Sequence, residues 1–176
     1  AASDVYKRQV ATVHREENTR DPKILAEVLH AIKRSEIPFV LPIHPRTRSL
    51  MEQSKLFDSA NEISNLTMIN PVGYHAMMKI MERSLFVMTD SGGIQKEAFM
   101  AGVPCITLRQ NTEWIETVQA GANFLVKKIT RDEILKVQSY VIESRKKIVK
   151  NIRKAGKPFG DGRASVRVVN ELMKRF

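Results

Sequence analysis

The sequence predicts an α/β domain built on a mostly parallel sheet covered by helices on both faces. Three observations lead there. Short apolar runs of strand length recur six times along the 176 residues. Segments with apolar residues three and four apart lie between them. Capping and turn residues separate the two kinds of segment. Strand–helix alternation of this kind favours parallel strands, because each crossover lays a helix on one face of the sheet.

The strands are expected at residues 10–13, 39–43, 66–69, 85–89, 104–108 and 123–126. Between the first two, Ile24, Leu25, Val28, Leu29 and Ile32 repeat at helical spacing. Asp21-Pro22 opens that helix, with a capping carboxylate followed by a proline in the first turn. Met77, Met78, Ile80 and Met81 mark a second helix. Ile134, Val137, Val141, Ile148 and Ile152 trace one helical face, which Arg145 interrupts. Residues 156–162 (Gly-Lys-Pro-Phe-Gly-Asp-Gly) break the pattern, and a last helix is expected over 164–173. One domain therefore spans 10–176. Residues 1–9 supply few apolar side chains and read as a truncated or non-native start.

Composition narrows the function classes. No apolar run approaches the ~18 residues of a membrane helix, and residues 1–9 hold no signal-peptide core. The single Cys105 lies in an apolar run, excludes an internal disulfide and reads as a buried structural residue, so a cytoplasmic protein is expected. The net charge is +10, and all of it lies beyond residue 126, where 15 Lys and Arg accompany 5 Asp and Glu. That distribution fits solvated helix faces, or an acidic partner surface, better than a nucleic-acid-binding face.

Three segments carry chemistry. In Thr89-Asp90-Ser91-Gly92-Gly93 a strand runs into a glycine pair, and a helix follows with Lys96 and Glu97. Free N–H groups and the helix dipole favour a phosphate there. Ser91 adds a hydroxyl, and Glu97, further along the helix, can accept from a ribose diol. The same pattern also describes a plain strand–helix turn with a serine cap. His14-Arg15-Glu16 follows the first strand and Pro42-Ile43-His44-Pro45-Arg46 the second. A histidine can protonate a departing phosphate and an arginine can grip one, although a charged loop leading into a helix looks alike. Arg109-Gln110-Asn111-Thr112-Glu113-Trp114 leaves the fifth strand. Its tryptophan either stacks on a base or sugar or seals the loop against the core. The histidines lack metal-ligand spacing, so no metal is expected.

Taken together, residues 89–98, Gly102-Val103-Pro104, Arg109, Asn111-Thr112-Glu113 and residues 158–164 stand in the order and spacing of a known family. With His14-Arg15-Glu16 and Pro42-Ile43-His44, the chain after about residue 9 resembles the carboxyl-terminal half of the non-hydrolysing UDP-N-acetylglucosamine 2-epimerases. The resemblance implies a Rossmann-like three-layer domain, the C-terminal half of a GT-B fold, in a cytoplasmic isomerase that eliminates UDP and adds it back with C2 inverted. It implies no cofactor and no metal. Ser91, Gly92 and Gly93 would hold the diphosphate and Glu97 the ribose, with Arg109, Thr112 and Glu113 completing the substrate site. His14 would assist the leaving phosphate, and Arg15 and His44 match positions lining an allosteric UDP-sugar site. The general acid/base carboxylates belong to an amino-terminal domain, which is the expected partner, in a homodimer when full length. Neither nucleic acid nor membrane is an expected partner. The chain departs from the family pattern at Trp114, where many members have arginine, at Met77, near which many have an aromatic residue, and at Glu16, where some have arginine. A GT-B glycosyltransferase donor domain and a non-catalytic nucleotide-sugar-binding module share the glycine turn and stand as alternatives.

Overall fold

A computed structural model describes residues 8–175. The non-native start expected at 1–9 lies, for its first seven residues, outside the described residues. Gln9 is already the first residue of the sheet.

Six strands form one parallel sheet: β1 (Gln9–Thr12), β2 (Phe39–Pro42), β3 (Leu66–Ile69), β4 (Val87–Thr89), β5 (Cys105–Thr107) and β6 (Asn123–Leu125). Their order is β3-β2-β1-β4-β5-β6, with every neighbouring pair parallel. This is the doubly wound, Rossmann-like order, in which the chain turns back between β1 and β4. Each expected strand is present, and most are a residue or two shorter; the flanking Leu108 and Val126 are buried just past the strand ends and still donate to the Thr89 and Thr107 carbonyls.

Side-chain alternation divides the core between the two faces. Ala11, Met88 and Ile106 join Leu25, Val28, Leu29, Ile134 and Ile148 on one side. Val10, Val87 and Cys105 join Met81 and Ala98 on the other. The first face is covered by α2 (Pro22–Ser35) and α8 (Arg131–Glu143), and the second by α5 (Tyr74–Glu82) and α6 (Gly92–Met100). Helix α2 starts as its sequence dictates: the Asp21 carboxylate accepts from Lys23 N–H, and Pro22 occupies the first turn. Helix α8 starts on the Thr130 hydroxyl, which accepts from Glu133 N–H.

The apolar face through 134–152 is two helices rather than one. Helix α8 ends at Ser144, and α9 (Arg145–Ala155) begins at once, keeping Ile148 and Ile152 buried. Arg145 faces inward because its Nε donates to the Leu85 carbonyl at 3.1 Å. The lysines of α9 point to solvent, as the charge distribution implied. Helix α10 (Ala164–Met173) buries none of its side chains, and Val166, Val168, Val169 and Leu172 are more than half exposed. Among the described residues no helix is long and apolar enough to cross a membrane.

The polar strap at the base of β4 is Gln9, whose buried Oε1 accepts from the backbone N–H of Leu85 and Phe86. Phe86 is fully buried and meets Phe39 edge to face, with ring centroids 6.0 Å apart. Phe86→Ala is expected to cost ~3–5 kcal/mol, read as a lower chemical-denaturation midpoint with the slope unchanged.

Candidate functional site

The carboxyl ends of β1 and β4 lie side by side where the strand order reverses, with Thr12 paired to Thr89. Their hydroxyls share a 2.6 Å hydrogen bond. Each strand runs into one of the chemistry-bearing segments, so two stretches of chain 76 residues apart in sequence meet there.

Asp90 joins them. Its carboxylate is fully buried. It accepts from His14 N–H at 3.0 and 3.1 Å, from Arg15 N–H at 2.9 Å and from the Asn18 side-chain amide at 3.1 Å. Asn18, itself buried in α1 (Glu16–Thr19), also donates to the Leu108 carbonyl at 3.0 Å, which brings in the end of β5. The next N–H, that of Ser91, donates to Thr89 Oγ1 at 2.9 Å. A buried charge persists only when it is so enclosed by donors. Asp90 therefore fixes where the His14 loop sits relative to the glycine turn.

The turn itself starts α6 with Ser91 as the cap, its Oγ 3.5 Å from Ile94 N. The two glycines differ. A methyl group on Gly92 would lie 2.5 Å from Glu113 Oε1. The carboxylate of Glu113 and the indole of Trp114 thus approach the backbone at Gly92, and Trp114 Nε1 donates to the Gly92 carbonyl at 2.7 Å. Gly93 is exposed and faces a groove. Glu97 lines the same groove, and among the described residues no donor pairs with its carboxylate. This groove has a volume of about 870 Å³, and Gly93, Lys96, Glu97, Trp114 and Phe159 contribute to its wall. The tryptophan seals the loop: it meets Phe159 edge to face at 5.4 Å, and Phe159 in turn meets Phe99 at 5.6 Å.

His14, Arg15 and Arg46 line a second, shallower groove of about 490 Å³. His44 caps α3 (Pro45–Gln53) by accepting from Arg46 N–H, and its ring stacks on His14 with centroids 5.1 Å apart. Burial lowers the His14 pKa below the ordinary histidine value. Asp90, 3.6 Å from Nδ1, opposes that, whereas His44, Arg15 and Arg46 add to it.

Arg109 and Glu113 link the two sides. Arg109 Nη1 lies 2.7 Å from one Glu113 oxygen, and Arg15 Nη2 lies 3.3 Å from the other. Arg109 Nε also holds Glu17 at 3.1 Å. The Glu113 carboxyl is held below the usual carboxylate range, first by its own backbone N–H and then by Arg109, with burial opposing. Thr112 points away from the grooves, donating to buried Gln95 at 2.6 Å. The structure thus brings His14, Arg15 and His44 to one groove and Gly93 and Glu97 to the other, with Arg109 and Glu113 between the two loops and Thr112 turned toward Gln95. Two connecting residues were not singled out, Asn18 and Gln95, and Asp90 was seen only as part of its motif. An acidic residue directly before a Ser-Gly-Gly turn is the one signal that marked the last. Among the described residues no three His, Cys, Asp or Glu side chains gather as metal ligands.

A profile described as UDP-N-acetylglucosamine 2-epimerase matches residues 5–173. A Pseudomonas aeruginosa UDP-2,3-diacetamido-2,3-dideoxy-D-glucuronate 2-epimerase is 42% identical over 94% of this chain and 44% of its own length. A Methanocaldococcus jannaschii UDP-N-acetylglucosamine 2-epimerase is 35% identical over 92% of this chain and 43% of its own. The crystal structure of a Methanocaldococcus jannaschii UDP-GlcNAc 2-epimerase in complex with UDP-GlcNAc and UDP superposes with a TM-score of 0.84 at 32% identity, covering 98% of this chain and 47% of that one. The chain thus spans a little under half the length of these relatives.

Two outcomes follow from the geometry. Asp90→Asn presents N–H groups to three donors, so a loss of about 3 kcal/mol or more is expected in denaturant unfolding. For His14 the folded pKa lies below its value of 6.5 in the open chain. The unfolded state then binds the proton first, and stability present above that pH is lost as pH falls through it toward the folded pKa. His14→Gln is expected to flatten the fall of the thermal midpoint between about pH 7.5 and about pH 5; parallel profiles would contradict the burial of this imidazole.

Proposed function

The chain belongs to the UDP-N-acetylglucosamine 2-epimerase family, and we propose that it is the carboxyl-terminal, UDP-holding domain of such an isomerase. The reaction assigned is elimination of UDP from the sugar followed by its re-addition with C2 inverted, interconverting UDP-N-acetylglucosamine and its manno epimer. One observation carries the reading: Asp90 locks the His14 loop against the start of α6, so an imidazole and a helix N-terminus of the kind that suits phosphate face the same switch point. Departure of UDP develops charge on the phosphate, and preorganised donors stabilise that charge without reorganising.

The roles proposed are those the family resemblance implies. Ser91, Gly92 and Gly93 hold the diphosphate, with Gly93 the exposed member. Glu97, which has no donor of its own among the described residues, takes the ribose. His14 lies beside the leaving oxygen. Its lowered pKa keeps the free domain's imidazole neutral near pH 7, and an arriving phosphate draws a proton onto it. Arg109, Thr112 and Glu113 complete the substrate site, Thr112 by holding their loop to buried Gln95, and Arg15 and His44, beside the second groove, receive a second, regulatory UDP-sugar. No metal or nicotinamide enters this chemistry. The carboxylates that move protons at C2 belong to an amino-terminal domain, onto which the apolar face of α10 docks. The whole protein is a cytoplasmic homodimer on this reading.

A second reading keeps the reaction and changes the sugar. The Pseudomonas aeruginosa relative is named for a diacetamido uronate, and Trp114 stands where the family resemblance leads one to expect arginine. Under this reading the natural sugar carries a carboxylate.

Calorimetry tests the assignment. UDP is expected to bind the 176-residue chain, and Ser91→Ala and Glu97→Gln are each expected to weaken it about tenfold. The chain alone is expected to turn over no UDP-N-acetylglucosamine, and clear epimerisation by it would refute the division of labour between two domains.

A further inference from the structure

The large groove carries more positive than negative charge, and one of its cations is held in place. Lys96 projects from the second turn of α6 with its Nζ 4.9 Å from the centroid of Trp114 and 5.2 Å from that of Phe159. Two ring faces on one ammonium restrict a side chain that is otherwise among the most mobile. They do not neutralise it. Among the described residues no carboxylate forms an ion pair with Lys96. The arginines of the site differ: Arg15 is paired with Glu113, and Arg109 with Glu113 and Glu17. The other cations on this wall, Arg153 and Lys157, are exposed side chains at the rim. Of the groove's acids, Asp161 is taken by Arg167 at 2.7 Å, which leaves Glu97.

We propose that Lys96 is a ligand-contacting cation of this groove: seated on Trp114 and Phe159, it contacts an anionic group of the bound UDP-sugar. The inference rests on the reading that the groove takes a UDP-sugar. It adds a residue to which no role has been given and accounts for the tryptophan in the Thr112-Glu113-Trp114 segment. An arginine there would bring its own charge. The tryptophan instead supplies a ring that holds a lysine from the neighbouring helix, so the positive charge comes from α6. Two anions fit the same chemistry, a phosphate oxygen of UDP and a carboxylate on the sugar.

The test is calorimetric titration of the 176-residue chain and of Lys96→Gln, Lys96→Arg and Phe159→Leu. The ligands are uridine, UDP, UDP-N-acetylglucosamine and its 6-carboxylate analogue. Thermal midpoints of all variants confirm folding. Lys96→Gln is expected to weaken an anionic ligand about tenfold or more and to leave uridine unchanged. Lys96→Arg recovers most of the loss, and Phe159→Leu loses a smaller part. Equal weakening of UDP and both sugars assigns the phosphate, whereas weakening confined to the carboxylate analogue assigns the sugar; either supports the proposal. Wild-type affinity for every anionic ligand in Lys96→Gln would overturn it while leaving the UDP site standing. Failure of the unaltered chain to bind any UDP compound would remove the underlying reading and the proposal together.

Discussion

The geometry of this domain's candidate site depends on the enclosure of the Asp90 carboxylate. A buried carboxylate costs several kcal/mol unless its lone pairs are met. Here two backbone N–H groups and one amide meet them, all from the stretch that follows β1. The charge therefore acts as a clamp between two neighbouring strand ends. Without it, the parallel sheet would still set Thr12 beside Thr89, but the chain leaving β1 would lose the three donors that tie it directly to the end of β4. With it, His14 and the start of α6 hold a defined separation. That preorganisation is what a site for a departing phosphate needs.

Around the clamp the charges are arranged so that the strong pairs shape the protein. Glu113 draws Arg15 and Arg109 into a bridge and closes on Gly92, the one position in the turn where a side chain would collide. A side chain at Gly92 would have to push the Glu113 carboxylate out of its bridge to Arg15 and Arg109. What stays open is Gly93, Glu97 and Lys96 on its aromatic seat, all three from α6, with Arg153 and Lys157 exposed at the rim of the large groove. Gln95, buried on the other face of that helix, ties it to Thr112 and to Asn123 of β6. The loop carrying Trp114 is thereby fixed from behind.

Most of this was legible in the sequence. Strand positions could be read because buried parallel strands are short apolar runs, and the Asp21-Pro22 and Ser91 caps marked helix starts because their chemistry is local. The joining of His14 to the Ser91 turn was legible only as convergence of strand ends. Its agent was not, since burial of Asp90 and Asn18 depends on contacts more than 70 residues away. The break at Ser144 was hidden for a related reason. The apolar spacing passes through it, and Arg145 looked like a fault in the pattern until its hydrogen bond to Leu85 showed what it holds. Trp114 was balanced between stacking on a ligand and sealing a loop. The structure has it sealing the loop while offering its ring face to Lys96.

A crystal structure of the chain with UDP tests the account most directly. The diphosphate is expected at the start of α6, against the Ser91 hydroxyl and the N–H groups of Gly92 and Gly93 and within hydrogen-bond reach of His14, with the ribose hydroxyls on Glu97 and the Asp90 contacts unchanged. A diphosphate bound elsewhere, for example among the exposed lysines of α8 and α9, or a His14 loop that leaves Asp90 when UDP arrives, would contradict it.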